Sequence, residues 1–211
     1  MPTDLHVERL VVGPLLTNCY IIWDEHSGEG AIIDPGEDPG AILSRIADLG
    51  IEVRCYIATH CHFDHIAAIA PLKRRIGAEF LIHEGDISFV EDAKNAAQRW
   101  GFEIEQPPMP DRYMSEGEII RIGGGALRVI HTPGHSPGGV SLYEEGRVFA
   151  GDCLFQGGIG RTDFRMGSFD ILAKSIRTRL YTLPDDTAVY PGHGACTTIG
   201  NERRHNPFVR G

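Results

Sequence analysis

The sequence of 211 residues lacks the features that place a protein in a membrane or outside the cell. It has no run of 18 apolar residues, so it predicts no transmembrane helix. The segment from Met1 to His6 has neither the basic start nor the apolar stretch of a secretory signal peptide. The five cysteines are odd in number and show no CxxC spacing, a pattern typical of a reducing compartment. We therefore expect a cytoplasmic protein without membrane contact.

Basic residues are scarce relative to acidic ones. Lys plus Arg amounts to 20 residues against 29 Asp plus Glu, which gives a formal net charge of −9 at pH 7. A surface of this sign does not neutralise phosphates, so the composition argues against nucleic-acid binding. The apolar fraction of 42% is ordinary for a globular chain, and the length can bury a full core. These properties leave the oligomeric state open.

Strand-like and helix-like segments alternate along the chain. Residues 39–49 have apolar side chains at helical spacing and are followed by Gly50, a common C-cap, so they predict a helix. Further helices are predicted at residues 64–76, 86–100 and 169–180. Strands are predicted at residues 10–12, 19–23, 31–33, 53–58, 80–82, 118–122, 126–131, 140–143, 147–150 and 188–190. This order predicts two similar α/β halves that share one layered core.

The densest cluster of metal-binding residue types is the run from His60 to His65, which reads HCHFDH. Imidazole nitrogen and carboxylate oxygen are ligands of zinc and iron. The predicted strand at 53–58 ends just before this run and would deliver it to a sheet edge, where active sites of α/β sheets lie. Asp64 could also cap the helix predicted at 64–76. The alternative interpretation is a polar surface turn without a metal.

Three later residues occupy the same kind of position. His135, Asp152 and His193 each lie in a glycine-containing turn directly after a predicted strand. Such turns present a side chain at an exposed rim while the strand holds it firmly. One strand-end histidine is more often a hydrogen-bonded structural residue than a ligand. Four such positions in one chain favour a metal site.

The motif THCHFDH, with the pairs Gly-His, Gly-Asp and Gly-His ending at His135, Asp152 and His193, resembles the metallo-β-lactamase superfamily. The resemblance covers essentially the whole chain and implies an α/β fold, a four-layer αββα sandwich with a dinuclear metal site at one edge. It implies that His60, His62 and His135 hold one divalent ion, that Asp64, His65 and His193 hold a second, and that Asp152 bridges both.

The resemblance also implies the chemistry of a hydrolase. Zinc or iron, or both, would bind a bridging hydroxide that attacks the substrate, with Asp64 and Asp152 as catalytic carboxylates. Two divalent ions, two carboxylates and one hydroxide sum to about +1, which suits an anionic transition state. No side-chain nucleophile is required.

Within the superfamily, the segment GGIGRTDF at 157–164 and the ending Asn206-Pro207-Phe208 look like the short glyoxalase II-type thiolesterases. Longer glyoxalase II enzymes carry a C-terminal helical domain that holds glutathione. Only 18 residues follow His193, so we expect residues 1–211 to form a single domain without it. Thr162-Asp163 also replaces the tyrosine that follows the basic residue in those enzymes. The expected substrate is a small acyl thioester, either S-lactoylglutathione or a related compound.

Several alternatives stay open. The GRTDF segment also resembles persulfide dioxygenases, which would use one iron on His62 or His60, His135 and Asp152. A third interpretation is a non-catalytic metal-binding fold, which a seven-ligand set argues against because structural sites are closed and four-coordinate. The charge disfavours a nuclease, and the N-terminus disfavours a periplasmic lactamase. Arg161 either contacts the substrate or forms a salt bridge with Asp163 that shapes the loop.

Overall fold

Two six-stranded sheets form the centre of the structure, a computed structural model that describes residues 5–211. The first sheet has the order β1 (His6–Val12), β2 (Thr17–Trp23), β3 (Glu29–Ile33), β4 (Glu52–Ile57), β5 (Glu79–His83) and β6 (Arg112–Met114). The later strands are β7 (Ile119–Ile122), β8 (Gly125–His131), β9 (Val140–Glu144), β10 (Arg147–Gly151), β11 (Leu154–Phe155), β12 (Gly158–Ile159), β13 (Ala188–Pro191) and β14 (Thr197–Thr198). The second sheet has the order β14-β13-β10-β9-β8-β7, and β11 pairs separately with β12.

In the described residues 5–211, six α-helices cover the two outer faces. They are α1 (Pro39–Leu49), α2 (Phe63–Ile66), α3 (Ile69–Arg75), α4 (Ile87–Arg99), α5 (Phe169–Ser175) and α6 (Ile199–His205). A 3-10 turn at Glu84–Asp86 precedes α4, and a π-helical turn at Ile176–Leu180 follows α5. Within residues 5–211, no helix combines the length and the apolar character that crossing a membrane requires.

Three apolar cores separate four layers and confirm the predicted αββα sandwich. One core lies between the first sheet and helices α1 to α4, the next between the two sheets, and the third between the second sheet and the C-terminal helices. Strand β2 shows why the layers form: Cys19 and Ile21 face the helices, whereas Tyr20 and Ile22 face the other sheet. Side chains alternate across a strand, so a strand that is apolar on both sides must be buried on both sides.

The helix predicted at residues 64–76 is instead two short helices, α2 and α3, separated at Ala67 and Ala68. Pro71 explains the break, because its ring lacks an N–H and would clash with the carbonyl of Ala67 in a continuous helix. The N-cap of α2 is His62, which makes no side-chain capping bond, so the prediction that Asp64 caps this helix was wrong; Asp64 lies in its first turn. The helix at Pro39–Leu49 is confirmed, and Gly50 ends it in the left-handed conformation with φ of 64°.

The strands that carry the metal-binding residue types end at one edge of the sandwich. Strand β3 runs parallel to β4, and β10 runs parallel to β13. Hydrogen bonds join the sheets at this edge, among them the backbone bonds from Val140 N to Thr59 O at 2.8 Å and from Asn18 N to Gly192 O at 2.7 Å. The loops after β4, β8, β10 and β13 therefore meet at a fixed position.

Candidate metal centre

The structure brings all seven residues of the sequence-derived ligand set into one cluster at this edge. Four come from the loop after β4 and the start of α2, and one each from the loops after β8, β10 and β13. They are His60, His62, Asp64, His65, His135, Asp152 and His193. The side chains form two compact groups with Asp152 between them.

The first group consists of His60, His62 and His135. One ring nitrogen from each of these histidines lies within 4.8 Å of the other two. Nε2 of His135 is 2.9 Å from Nδ1 of His62, and the two rings are nearly perpendicular. Three imidazoles that face a common point form a nitrogen-rich pocket of the kind that zinc and iron occupy.

The second group consists of Asp64, His65 and His193, whose candidate ligand atoms also lie within 4.8 Å of one another. Nε2 of His193 is 3.2 Å from Nε2 of His65 and 3.3 Å from Oδ2 of Asp64. The His65 side chain is fully buried, whereas 29% of the His193 side chain is exposed. The carboxylate makes this group the more negative of the two.

Asp152 lies between the groups and reaches both. Its Oδ2 is 3.5 Å from Nε2 of His135 in the first group and 3.7 Å from Nε2 of His193 in the second. Its Oδ1 is 3.7 Å from Nε2 of His65. The Asp152 carboxylate therefore lies within 4 Å of ring nitrogens from both groups.

The outward-facing ring nitrogens of four histidines are held by hydrogen bonds. Their partners are oxygens, namely Thr59 Oγ1 for His60 at 3.2 Å, Asp34 Oδ2 for His65 at 3.1 Å, Arg161 O for His135 at 2.7 Å and Leu15 O for His193 at 3.1 Å. In each case the bond uses Nδ1 and turns Nε2 toward the cluster. Such contacts fix the ring orientation and the tautomer that metal ligands need.

Two buried atoms of the cluster lack a hydrogen-bond partner within the described residues. These are Nε2 of His60 and Oδ1 of Asp152, and both point into the cluster. A buried polar atom without a partner costs free energy, so native structures seldom leave one. A divalent cation would satisfy an imidazole nitrogen and a carboxylate oxygen together. The residues present therefore fit a metal centre.

Burial favours the neutral imidazoles of His60 and His62. Burial together with the neighbouring His65 and His135 holds the pKa of His60 well below its usual value. Burial and His135 lower the pKa of His62 to about 3. A neutral imidazole keeps the nitrogen lone pair with which it binds a metal.

The carboxylates give the second group the opposite behaviour. Burial acts to lower the pKa of His65, but Asp64 and Asp152 outweigh it and raise that pKa to about 10. Burial opposes ionisation of Asp64, yet His65 and His193 hold its carboxyl pKa below the usual range. The group thus attracts positive charge, and a bound cation would take the place of the proton.

Two carboxylates that support the cluster, Asp34 and Asp86, were not identified from the sequence. Asp34 accepts hydrogen bonds from Thr59 N and Thr59 Oγ1, both at 2.7 Å, besides its contact with His65. Asp86 accepts bonds from the loops on either side of the first group. Asp34 follows β3 in an Asp-Pro-Gly turn, the same strand-end pattern as the other site residues, so the sequence did contain a signal for it.

A cavity of about 560 Å³ opens over the cluster and leads to solvent. Arg161 lies in its lining, but the guanidinium donates to both carboxylate oxygens of Asp163, at 2.9 and 2.8 Å. It also lies over the Phe164 ring at 4.1 Å. The salt bridge foreseen for Arg161 is present, and its contact with a substrate stays a prediction.

The chain is similar to known proteins over nearly its whole length. The sequence model described as the metallo-beta-lactamase superfamily matches residues 12–193. Hydroxyacylglutathione hydrolase GloC of Haemophilus influenzae is 40% identical over 209 residues, which cover 97% of this chain and 98% of that protein.

Two solved structures share the fold over nearly the whole chain. BLEG-1, described as a B3 metallo-beta-lactamase, has a TM-score of 0.91 at 37% identity and covers 98% of this chain and 100% of its own. TTHA1623 in a di-iron-bound form has a TM-score of 0.88 at 40% identity, with 96% and 100% covered. The fold, the site and these matches confirm the resemblance noted in the sequence: the chain belongs to the metallo-beta-lactamase superfamily.

Proposed function

We propose that the protein is a dinuclear metal-dependent hydrolase of small acyl thioesters, S-lactoylglutathione or a related compound. The observation that carries this proposal is the position of Asp152, which reaches both compact groups of ligand atoms. The similarity to a hydroxyacylglutathione hydrolase supports the thioester class. The similarity to a structure in a di-iron-bound form supports two ions, with zinc or iron as the candidates.

In this proposal each group of residues binds one divalent cation. His60, His62 and His135 hold the first, and Asp64, His65 and His193 hold the second, while Asp152 contacts both. Two bound cations supply an activated water near neutral pH and polarise the carbonyl of the substrate. The ring contacts to Asp34, Thr59, Arg161 O and Leu15 O keep the ligand atoms in place.

The reaction forms a bond from a water oxygen to the acyl carbon and breaks the carbon–sulfur bond. The products are a carboxylic acid and a thiol, which together contain all atoms of the thioester and one water. A low carboxyl pKa keeps Asp64 ionised, and its side chain, 17% exposed at the cavity floor, is placed to orient the water by accepting a hydrogen bond. The proton that the water loses ends on the departing thiolate. Thr17 Oγ1 donates to Asp64 Oδ2 at 3.4 Å and restrains it.

The second candidate is a persulfide dioxygenase with one iron on the first group and Asp152. Its support is the GRTDF segment, which follows β12 and supplies the carbonyl of Arg161 to His135. The equally compact second group favours the dinuclear hydrolase, because one iron on the first group would leave the ligand atoms of Asp64, His65 and His193 without a metal.

Turnover of S-lactoylglutathione and of simple acetyl thioesters by metal-loaded protein tests the proposal. We expect hydrolysis that a chelator abolishes and that Asp152→Asn lowers by at least 100-fold. Asp186→Asn is the matched control, because Asp186 lies in an exposed turn away from the cavity. Absence of hydrolysis with every thioester overturns the proposal. Oxygen uptake with glutathione persulfide would support the dioxygenase. Hydrolysis of a β-lactam and of no thioester would overturn the proposal in favour of a lactamase.

We also propose that Arg161 acts at the cavity wall during substrate binding. Its guanidinium is 57% exposed and is paired with Asp163, so Asp163→Ala is the informative partner variant. If Arg161 contacts the substrate, Arg161→Ala raises KM clearly more than Asp163→Ala does. If the two variants raise KM equally, Arg161 only shapes the loop through its salt bridge with Asp163, and its proposed contact with the substrate is wrong.

We further propose that residues 1–211 work as one domain in the cytoplasm. Strands of both halves share the core between the sheets, so neither half has a complete core alone. All five cysteines are free of disulfide bonds, and four of them are buried. Free thiols of this kind suit a reducing compartment, and fractionation of cells that produce the protein tests the location.

A further inference from the structure

One wall of the cavity is built from aromatic side chains next to the first metal-binding group. The ring of His62 lies 5.1 Å from that of Phe89 and 5.5 Å from that of Phe164, both nearly edge-on. Trp100, which directly follows α4, lies 6.2 Å from Phe164. Together with Met166 these side chains, hereafter the aromatic wall, extend from the cluster to the cavity mouth.

Much of the aromatic wall is open to solvent. Trp100 is 54% exposed and Met166 is 52% exposed. Met166 also has a left-handed backbone, with φ of 67°, which is costly for a residue with a side chain. Large exposed apolar side chains around a concave site mark a surface that a ligand covers.

Two of the three arginines that line the cavity are held in ion pairs. Arg99 is paired with Asp92 at 2.6 Å, and Arg161 is paired with Asp163. Within the described part of the chain, Arg165 is the cavity arginine that forms no ion pair. An ion-paired guanidinium must give up its partner before it can bind a carboxylate of a ligand. The cavity therefore provides apolar surface and one arginine that is outside a direct ion pair, although Arg165 lies near enough to Asp92 to help Arg99 lower the pKa of that carboxyl.

We propose that the aromatic wall binds an apolar arm of the thioester, an alkyl or aryl chain carried on its acyl or its thiol side. This inference rests on the proposed hydrolase function and names its substrate class. The chain would lie against Phe89, Phe164 and Trp100 with the thioester group over His62. Arg165 is available for a single negative charge at the outer end.

Two series of neutral thioesters test the substrate class. The first series varies the acyl side: acetyl, butyryl and hexanoyl thioesters of N-acetylcysteamine. The second series varies the thiol side: acetyl thioesters of ethanethiol, butanethiol and hexanethiol. Each buried methylene favours binding by about 3- to 4-fold. We expect kcat/KM to rise by at least 10-fold along one of the two series. No rise in either series, with the short thioesters still hydrolysed, overturns the inference and leaves the hydrolase proposal standing.

The Trp100→Ala/Phe164→Ala double variant assigns the selectivity to the aromatic wall. In the series that shows the chain-length preference, we expect the ratio of kcat/KM for the longest thioester to that for the shortest to fall to within about 3-fold of unity. Phe208→Ala is the matched control, because Phe208 is 57% exposed and lies outside the cavity lining; it should keep the wild-type ratio. A chain-length preference that the double variant retains contradicts the role of the wall.

A binding experiment tests the inference without turnover. Trp23→Phe leaves Trp100 as the only tryptophan, since the sequence has two. Titration of this variant with butyrate, hexanoate and octanoate, or with the matching thiols, should shift the Trp100 emission to shorter wavelength, at lower concentration for longer chains. If no thioester is hydrolysed but this shift occurs, the hydrolase proposal fails and the apolar site stands. No shift with any chain overturns the inference.

Discussion

Oδ2 of Asp34 lies 3.1 Å from Nδ1 of His65, and both side chains are buried. The contact turns Nε2 of His65 toward His193 and Asp152. Asp34 has a left-handed backbone, with φ of 51°, a conformation that Asp and Asn tolerate better than most residues. An acidic residue outside the seven-residue cluster thus orients its most deeply buried histidine.

Asp34→Asn should weaken metal binding at the second group by about 10- to 100-fold, the usual effect of losing a contact that orients a ligand. Asparagine has nearly the same size and tolerates the left-handed backbone. In the wild type the Asp34 carboxylate accepts bonds from Thr59 and His65, whereas the amide nitrogen of asparagine cannot accept and must replace one of these two contacts. Competition with a chromophoric chelator measures the affinity, with Asp186→Asn as control. An affinity within about 2-fold of wild type would contradict the role given to Asp34.

Asp86 joins the two loops that carry the first group. Its carboxylate accepts bonds from Cys61 N at 3.0 Å, Ser136 Oγ at 2.8 Å and Gly138 N at 2.6 Å. Burial raises the pKa of Asp86 although these three donors act to lower it. Its removal would leave the donors without a partner in the interior.

Asp86→Ala should therefore lower the free energy of unfolding by about 3 kcal/mol, since each buried donor left unpaired costs roughly 1–3 kcal/mol. The variant should also lose metal from His60, His62 and His135, because their loops are no longer joined. Urea unfolding and metal analysis measure both effects, with Asp186→Ala as the exposed control. Unchanged stability would show that other contacts hold the loops.

Gly192 allows β13 to approach Asp152. A Cβ on Gly192 would lie 2.2 Å from Oδ1 of Asp152 and 2.8 Å from Cε1 of His65, distances that force one of them to move. Gly192→Ala should cost more than 10-fold in activity and release metal, although no ligand is changed. Gly77→Ala is the control, because nothing lies within 4 Å of a Cβ there. Full activity of Gly192→Ala would contradict the close packing of the two groups.

Asp24 gives the fold a defined pH dependence at a distance from the site. Hydrogen bonds from Gly124 N, Ser27 Oγ and His26 N lower its carboxyl pKa from 3.8 to about 2. A carboxyl with a lowered folded-state pKa stabilises the protein above its unfolded pKa, and this contribution is lost as the pH falls from about 4 to 2.

Asp24→Asn should be less stable than wild type at pH 5, and the difference should shrink as the pH is lowered to 3. The contact with Gly124 joins the β2–β3 turn to the β7–β8 turn, so the variant should loosen both sheets at that end. Urea midpoints at the two pH values provide the measurement. A difference that stays constant with pH would show that the Asp24 charge is not involved.

The sequence identified the seven-residue cluster because metal chemistry restricts the residue types to His and Asp, and strand ends place them at one edge. It could not identify Asp86, whose role depends on three donors from two distant loops that meet only in the folded chain. The prediction of one continuous helix at 64–76 was wrong. It relied on the apolar spacing and neglected Pro71, which divides the segment into two helices. The short strands β11, β12 and β14 were not predicted, since two residues carry no periodicity.

Asp24 and Arg161 both make contacts that exist only in the folded chain and that the sequence therefore does not predict. The sequence analysis assigns no role to Asp24, and its hydrogen bond from Gly124 arises from the packing of the two sheets. For Arg161 the sequence left two roles open. The structure adds a third contribution from its backbone, the carbonyl that orients His135, which no side-chain pattern could reveal.

Titration of metal-free protein with zinc or ferrous ion, followed by thioester hydrolysis at each step, tests the central claim most directly. The two groups and the bridging position of Asp152 predict that two equivalents bind per chain and that hydrolysis rises steeply only as the second equivalent is taken up. The contradicting result is a protein that binds a single iron, takes up oxygen with a persulfide at full rate and hydrolyses no thioester at any metal content.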